Sequence, residues 1–342
     1  MKKWLIILFF NFLNQILFAQ GFFKVDRSLP DSLFIKSFRN KLNLSTGTQL
    51  NNAAFIIANP TGKARINISP EVTVQQFIKM EFKQINLRYT FSLFPISAIS
   101  DQPVHYRKEV GASFKIKQFN FDLSLQNARG YFIKNSEDFT ANTPNQGKPI
   151  QLPDLTTKVI NVQGSYNTNK QFSIDNIYSG RTLQTRNAFS FIPGAAITYI
   201  HFFQENPVVD AGIGKDNNLV DVNFNFPVAA TITFAKKWYV SGIAGPILGV
   251  AFYNSTSYNS NLQLISSNST EITTGYYLRS GIGYTADKWF AGFAAYNQRY
   301  GSKTGINRDA RFFYGAFFYV GFRIKAPKVL KQTSDILPFS DR

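Results

Sequence analysis

The 342-residue chain contains no cysteine. That absence excludes disulfide cross-links, thiolate metal sites and lipid attachment as a lipoprotein. Beyond the N-terminus there is also no run of about 20 consecutive apolar residues, so no helical transmembrane segment is expected. Acidic residues are few, with 20 Asp and Glu against 37 Lys and Arg. The cations are scattered singly and form no nucleic-acid-binding motif, so nucleic acid is not an expected partner.

The N-terminus has the organisation of a secretory signal. Lys2 and Lys3 precede an apolar stretch, Trp4 to Phe10, and the small residue Ala19 follows. This order of basic, apolar and small-residue regions predicts a signal peptide over residues 1–19. An uncleaved membrane anchor is the alternative. We therefore expect an exported protein.

Apolar and polar residues alternate along most of the remaining chain. From Ile85 to Leu93, for example, every second residue is apolar. A period of two predicts β-strands with one apolar face. Phenylalanine is abundant, at 35 residues, and short polar turns alternate with long polar loops. This combination is typical of up-and-down transmembrane β-barrels, in which aromatic residues face lipid.

The number of strands is open at this point. Thirteen segments alternate, separated in one place by a polar link near Lys79–Lys83: Lys41–Gln49, Arg65–Val74, Ile85–Leu93, Val110–Lys117, Phe119–Gln126, Lys158–Tyr166, Phe172–Ile177, Ala188–Ile200, Leu219–Phe234, Trp238–Phe252, Ile272–Tyr284, Trp289–Asn297 and Arg311–Ile324. Bacterial single-chain barrels have an even number of strands. Either a further strand at Val208–Ile213 makes 14, or one of the short segments is not a strand and the number is 12.

These patterns divide the chain into four parts. We expect a signal peptide at 1–19, a periplasmic lead-in at 20–40, one all-β antiparallel barrel at 41–324 and a basic periplasmic tail at 325–342. The location that follows is the outer membrane of a Gram-negative bacterium. The expected partners are outer-membrane lipids and lipopolysaccharide, together with the barrel-assembly machinery during insertion.

Several short motifs resemble a known family. They are the opening segment Phe34–Asn43, the hairpin around Val110–Leu125, the Phe-Ile-Pro-Gly-Ala-Ala core of Ser190–Tyr199, and the turn Lys236–Trp238. Together they are similar to a Bacteroidota family of exported proteins catalogued as a domain of unknown function, DUF4421. The chain departs from that family's pattern near Ile66–Pro70. The resemblance implies an outer-membrane barrel and transfers no functional residue.

Residues that could perform chemistry are few. His105 lies near Ser97, Ser100 and Asp101 in a predicted loop, and nucleophile activation would need such a base within hydrogen-bond reach. His201 is expected at the periplasmic end of a strand, where it suggests no function.

Two further patterns are weaker still. The acidic residues Asp210, Asp216 and Asp221 do not have the spacing of a calcium loop. The Gly-Ile-Gly triplets at 212–214 and 281–283 precede no helix and are not dinucleotide-binding motifs. No catalytic residue, metal or cofactor is therefore assigned, and the chain is not expected to be an enzyme.

The inward faces of the strands are the best candidates for function. Arg65, Arg88, Lys115 and Arg279 are expected to face the lumen and form a binding surface, because a cation facing lipid is costly. The favoured function is a passive, porin-like channel or carrier for small anionic or amphiphilic solutes. The alternative is a structural or assembly module whose lumen is filled by side chains. A lipid-modifying enzyme comes third.

Overall fold

A computed structural model describes residues 31–58, 65–70, 74–92, 106–138, 149–177, 179–204, 216–258, 264–304, 307–328 and 330. Short 3-10 helices lie at Asp31–Leu33, Ser136–Asp138 and Ile174–Ile177. The strands are β1 (Ile35–Ser37), β2 (Lys41–Ala58), β3 (Arg65–Pro70), β4 (Val74–Phe82), β5 (Ile85–Ser92), β6 (Tyr106–Ile116), β7 (Phe119–Ile133), β8 (Ile150–Tyr166), β9 (Thr182–Gln184), β10 (Ala188–Phe191), β11 (Gly194–Phe203), β12 (Asp216–Asn225), β13 (Val228–Phe234), β14 (Trp238–Tyr258), β15 (Leu264–Thr285), β16 (Trp289–Thr304) and β17 (Asn307–Lys325). No helix among these residues is long and apolar enough to cross a bilayer.

The antiparallel strands close into one barrel. The last strand, β17, pairs with the first barrel strand, β2, over their whole common length, from Lys325↔Lys41 to Ala310↔Ile56. Three strands of the ring are interrupted, and each consists of two consecutive elements: β3 and β4, β10 and β11, and β12 and β13. Pro193 and Pro227 lie at the last two interruptions. In the described part of the chain the ring therefore has twelve strands, the lower of the two expected numbers.

The two ends of the barrel differ. The turn end carries the short connections Lys83–Gln84, Lys117–Gln118, Ala235–Lys237 and Ala286–Lys288, and both ends of the barrel chain. The opposite end is called the loop end. Several strands continue toward it beyond their expected limits, since β14 reaches Tyr258 and β15 begins at Leu264. These strand ends are rich in Ser, Thr and Asn. Because they lack alternating apolar residues, the sequence pattern did not predict that the strands extend so far.

Side chains alternate between an apolar exterior and a mixed interior. Leu87, Phe114, Leu123 and Phe318 are each more than two-fifths exposed on the outer surface. Next to three of them, Arg88, Lys115 and Asp122 line the lumen, and Arg279, which follows the exposed Leu278, lines it too. So large an exposed apolar surface is stable only against lipid, and the protein is a transmembrane barrel.

Two expectations for the first strands are wrong. The polar link near Lys79–Lys83 is mostly strand, because β4 runs to Phe82 with Lys79 and Glu81 facing inward. With Arg65 expected in the lumen, strand alternation placed Ile66 and Ile68 on the lipid face, but in β3 both face the interior. They belong to the loop-end cluster, a buried apolar group inside the ring: Ala53, Phe55, Ile66, Ile68, Ala128, Tyr131, Ile133, Leu152, Leu155, Val159, Ile200, Phe202, Leu219 and Ala251. This cluster fills the lumen toward the loop end.

The segment Phe172–Ile177 is not a strand, contrary to expectation. It includes the 3-10 helix Ile174–Ile177, and Phe172 and Ile177 are buried among inward-facing residues of the barrel wall. Because this segment is not a strand, β11 runs from the turn end to the loop end, opposite to the direction that the predicted strand order gave it. His201 consequently lies toward the loop end instead of the periplasmic end of its strand. The additional strand considered at Val208–Ile213 lies outside the described residues.

Candidate functional site

The connection between β8 and β10 folds into the lumen from the turn end. We call this connection, residues 167–187, the plug. Its polar side chains satisfy its own backbone: Gln184 Nε2 donates to the carbonyl of Gln171 at 2.7 Å, and Gln184 Oε1 accepts from the amide of Ser173 at 2.8 Å. Asn167 Nδ2 likewise donates to the carbonyl of Phe172 at 2.8 Å. A non-repetitive segment can be buried in this way because its polar groups are paired.

Ion pairs hold the plug in place. Asp175 accepts hydrogen bonds from Arg181 at 2.7 Å and from Arg39 at 3.0 Å, one on each carboxylate oxygen. Arg181 also approaches Glu81 of β4, which is paired with Lys79 at 2.9 Å. Burial by itself would raise the pKa of the Asp175 carboxyl. The surrounding cations, Arg181 first, outweigh burial and hold that pKa well below its usual range, so the carboxylate is charged.

The segment before the barrel is joined to the plug. β1 pairs with β9, a strand within the plug, from Ile35↔Gln184 to Ser37↔Thr182. The amide of Phe38 donates to the carbonyl of Arg181 at 2.7 Å. Arg323 of β17 covers the ring of Phe38 at 3.9 Å and donates to the carbonyl of Gly180. The N-terminal segment, the plug and the barrel wall therefore meet at the turn end.

A chamber of about 340 Å³ lies between the plug and the loop-end cluster. Plug residues Asp175, Ser179 and Arg181 line one side of it, and Val159 of the loop-end cluster contributes to another. The chamber is rich in charge. Its cationic lining residues are Lys79, Arg88, Arg107, Lys115, Arg181 and Arg279, and its acidic ones are Glu81, Glu109, Asp122 and Asp175. Cations exceed acids by two among these ten residues.

Two arginines in the chamber wall lie against aromatic rings. Arg88 lies over Phe77 at 4.7 Å and over Phe317 at 5.7 Å. It donates to the side-chain oxygen of Gln49, and its Nε has no acceptor among the described residues. Arg279 lies over Tyr277 at 4.9 Å and over Tyr296 at 5.6 Å. Each site presents a cation beside an apolar face, an arrangement that suits an anion carrying an apolar group.

Three of the four expected binding residues share this chamber. Arg88, Lys115 and Arg279 all line it. The side chain of Arg65 lies outside the described part of the chain. Sequence reasoning missed Asp175 because Phe172–Ile177 was taken for a strand, and it missed Arg181 because that residue lies outside every predicted strand. The signal that could have found them was the odd count of thirteen segments, since one resolution of it was that a short segment is not a strand.

The other candidate residues do not come together. His201 Nε2 lies 3.1 Å from Asp216 Oδ1, whereas Asp221 is buried and paired with Arg311 at 3.2 Å. Among the described residues, no group of three or more His, Asp or Glu side chains could hold a metal ion. The first Gly-Ile-Gly triplet, at 212–214, is outside the described residues. In the second, at 281–283, Gly283 leaves space for the hydroxyl of Tyr239. His105 and its neighbours, together with Asp210, also lie outside the described residues.

Comparisons with known proteins locate the chain in one family. A family described as a domain of unknown function (DUF4421) matches residues 29–323. A comparison with curated proteins finds no match.

Similar solved structures share little sequence with this chain. One described as a bacterial polysaccharide outer membrane secretin is 8% identical, covers 84% of this chain and 99% of its own, and has a TM-score of 0.34. The translocator domain of autotransporter NalP from Neisseria meningitidis is 9% identical, with coverages of 84% and 90% and a TM-score of 0.36. The toluene transporter TodX of P. putida is 7% identical, with coverages of 84% and 90% and a TM-score of 0.30. Function must therefore be inferred from the lumen of this barrel itself.

Proposed function

The chain belongs to the family described as a domain of unknown function (DUF4421), and we propose that this outer-membrane β-barrel is a gated passive carrier for small anionic or amphiphilic solutes. One observation carries the proposal. The lumen holds a chamber in which Arg88 and Arg279 each lie against aromatic rings. A wall built only to fill the lumen would not need to retain this space.

The charge of the chamber favours anions. Six cationic and four acidic side chains line it, so its described wall carries a formal excess of two positive charges. In a narrow space with low-dielectric walls, such an excess concentrates anions and repels cations. The rings of Phe77, Phe317, Tyr277 and Tyr296 add apolar contact for a solute that carries a small apolar group.

The plug is the proposed gate. It separates the chamber from the turn end and is held by ion pairs, chiefly Asp175 with Arg39 and Arg181, and by the apolar side chains of Phe172 and Ile177. Its strand β9 pairs with β1 in a sheet separate from the barrel wall, so the plug can shift while the barrel stays closed by its own strand pairing. Passage also requires rearrangement at the loop-end cluster.

Planar-bilayer recording tests the proposal. We compare the full chain with a variant in which residues 170–187 are replaced by Asn-Gly, a sequence that favours a two-residue hairpin. The expected result is rare, small currents from the full chain and steady currents from the variant, with a reversal potential in a salt gradient that reports anion preference. A folded variant that is silent, or that prefers cations, contradicts the proposal. Heat-modifiable migration on a gel checks that both barrels are folded.

A structural module of the envelope is the second candidate. It is favoured by the apolar side chains that pack inside the ring, those of the loop-end cluster and those around Phe172 and Ile177 of the plug. Silence from both the full chain and the plugless variant would favour it. Neither candidate includes a catalytic step. Lipid hydrolysis that disappears in His105→Ala would instead establish the third possibility, a lipid-modifying enzyme.

Three further predictions about export, lipid contact and insertion form part of the proposal. Export behind residues 1–19, contact with lipopolysaccharide and insertion by the barrel-assembly machinery all follow from an outer-membrane barrel. Recovery of the protein from periplasm in soluble form, without detergent, would contradict them together.

A further inference from the structure

Lysines surround the turn end of the barrel. Six connections lie at this end: the junction of the N- and C-terminal barrel strands, the four short turns and the entry to the plug. Each carries a lysine, and we call these residues the lysine ring: Lys41, Lys83, Lys117, Lys170, Lys236 and Lys288. A second lysine, Lys237, follows Lys236. The charge is therefore distributed around the whole circumference.

Three lysines of the ring occupy turn positions whose backbone conformation favours other residue types. Lys83, Lys117 and Lys236 have positive φ angles of 48°, 52° and 60°. Gly, Asn and Asp adopt this conformation more readily than Lys, and they dominate short hairpin turns. The lysines thus occupy positions where local turn chemistry favours other residues, which indicates that the positive charge has a use at this end.

An aromatic belt lies immediately beside the lysines. Lys237 precedes Trp238 and Lys288 precedes Trp289, and both tryptophans are exposed on the outer surface. Tyr284 lies between them, with ring centroids 5.2 Å from Trp238 and 4.6 Å from Trp289. Trp and Tyr in this position mark the boundary between hydrocarbon and headgroups. Lysines one residue farther out therefore lie at the depth of the lipid phosphates.

Acidic side chains do not neutralise this end. Among the side chains that the structure describes there, Asp287 is the only exposed acid, and it is paired with Lys36 at 2.7 Å. The hydrogen bond and charge of Lys36 lower the pKa of the Asp287 carboxyl, with smaller contributions from Lys41 and Lys237, so one carboxylate faces several lysines and leaves most of their charge uncompensated.

We propose that the lysine ring binds the anionic headgroups of phospholipids in the leaflet at the turn end. The distribution of charge favours lipid over an acidic protein. A docking protein needs a compact patch, whereas these lysines are spread around the rim, next to the aromatic belt and at headgroup depth. A ring of phosphates around the barrel matches that geometry. The inference is independent of the proposed carrier function.

Tryptophan fluorescence tests the proposal, since Trp238 and Trp289 lie beside the lysines in question. The full chain carries Trp4→Phe, which leaves these two tryptophans as the reporters. It is reconstituted in phosphatidylcholine vesicles that contain phosphatidylglycerol or phosphatidylcholine brominated near the headgroup end of the acyl chains. We expect brominated phosphatidylglycerol to quench preferentially, with an association preference of about two- to fivefold. Salt at 1 M, where the screening length is about 3 Å, should remove the preference.

Matched variants locate the effect. Changing Lys117, Lys236, Lys237 and Lys288 to Gln should abolish the preference. Changing four exposed cations farther from the turns to Gln, namely Lys108, Lys134, Lys158 and Arg299, should leave it unchanged. Equal quenching by the two lipids in the parent chain, or a preference retained in the first variant, overturns the proposal. Tight binding of soluble polyglutamate without a lipid preference also overturns it and points to an acidic protein. Heat-modifiable migration confirms folding of each variant.

Discussion

Arg181, within the plug, reaches Glu81 in the barrel wall, with 3.6 Å between the guanidinium Nε and the carboxylate Oε1. The same guanidinium donates to Asp175 at 2.7 Å. Arg181 thus connects the plug's own acid to an acid of β4. Because all three side chains are buried, loss of one charge leaves its partner without compensation, which destabilises more than loss of a surface pair. The position of the plug is therefore sensitive to single substitutions.

Asp175→Asn should loosen the plug. It removes the charge that Arg39 and Arg181 share, at an expected cost of about 3–5 kcal/mol for a broken buried pair. In planar bilayers we expect more frequent and longer openings than in the parent chain. Asp154→Asn is the control, since Asp154 forms a partly exposed pair with Arg129 at 2.7 Å. Identical recordings from Asp175→Asn and the parent would show that this ion pair does not hold the gate.

Gly180→Ala should displace the plug without changing charge. A Cβ added at Gly180 would lie 2.3 Å from the ring of Phe290, which is too close for any real contact. At Gly111 the nearest atom to an added Cβ is 3.8 Å away, so Gly111→Ala fits and serves as the control. Proteolysis of the plug in detergent should be faster in Gly180→Ala only. Equal rates in the two variants would mean that the ring moves aside.

Arg88→Gln and Arg279→Gln should weaken anion preference in the plugless barrel. Each removes one positive charge from a chamber whose excess is two. The reversal potential in a salt gradient should move toward zero in each single variant and should reach or cross zero in the double variant. Arg299→Gln is the control because Arg299 is exposed on the outer surface. An unchanged reversal potential in the double variant would place the ion path outside this chamber.

Leu152→Ala should destabilise the barrel through the loop-end cluster. Leu152 is fully buried there, so truncation leaves a cavity and lowers the free energy of unfolding by about 2–5 kcal/mol. Leu33→Ala is the matched control, since Leu33 is exposed. Denaturant unfolding in lipid vesicles measures both. A loss below about 1 kcal/mol in Leu152→Ala would show that the cluster is loosely packed.

Single cysteines should report the two faces of the wall, since the chain has none of its own. Phe114→Cys lies on the lipid face and should resist a water-soluble thiol reagent. After labelling in denaturant and refolding, its fluorophore should be quenched by a lipid-dissolved quencher. Ser113→Cys, one residue earlier, lines the chamber and should escape that quencher. Quenching of both sites to the same extent would contradict the assigned faces.

The sequence predicted the faces of regular strands well. Along β5, apolar alternation placed Leu87 outward and Arg88 inward, because a strand side chain has only two directions. Prediction failed where the interior is not polar. Ile66 and Ile68 were assigned to lipid, yet they pack in the loop-end cluster. Period alone cannot distinguish lipid from an apolar core, since both accept the same side chains.

The plug shows a second limit. Phe172–Ile177 was predicted to be a short strand, but it contains the 3-10 helix Ile174–Ile177, and its Phe172 and Ile177 are buried inside the ring. A segment of this length carries too little local information to decide between a wall position and a lumen position. Lys79 and Glu81 were likewise predicted to lie in a polar link, because two charged residues are unusual inside a strand. In the structure they pair with each other inside the barrel, next to the plug.

The sequence by itself determined the class of protein and the direction of most side chains. Alternation, abundant Phe, short turns and the absence of cysteine are local or compositional properties, and a barrel wall is built from local alternation. Only the tertiary structure decided what fills the lumen. The pairing of Asp175 with Arg39 and Arg181, and the chamber beyond them, depend on residues 136 and 6 positions apart. Ring closure brings such residues together, because β17 pairs with β2 and fixes the size of the space that the plug must fit.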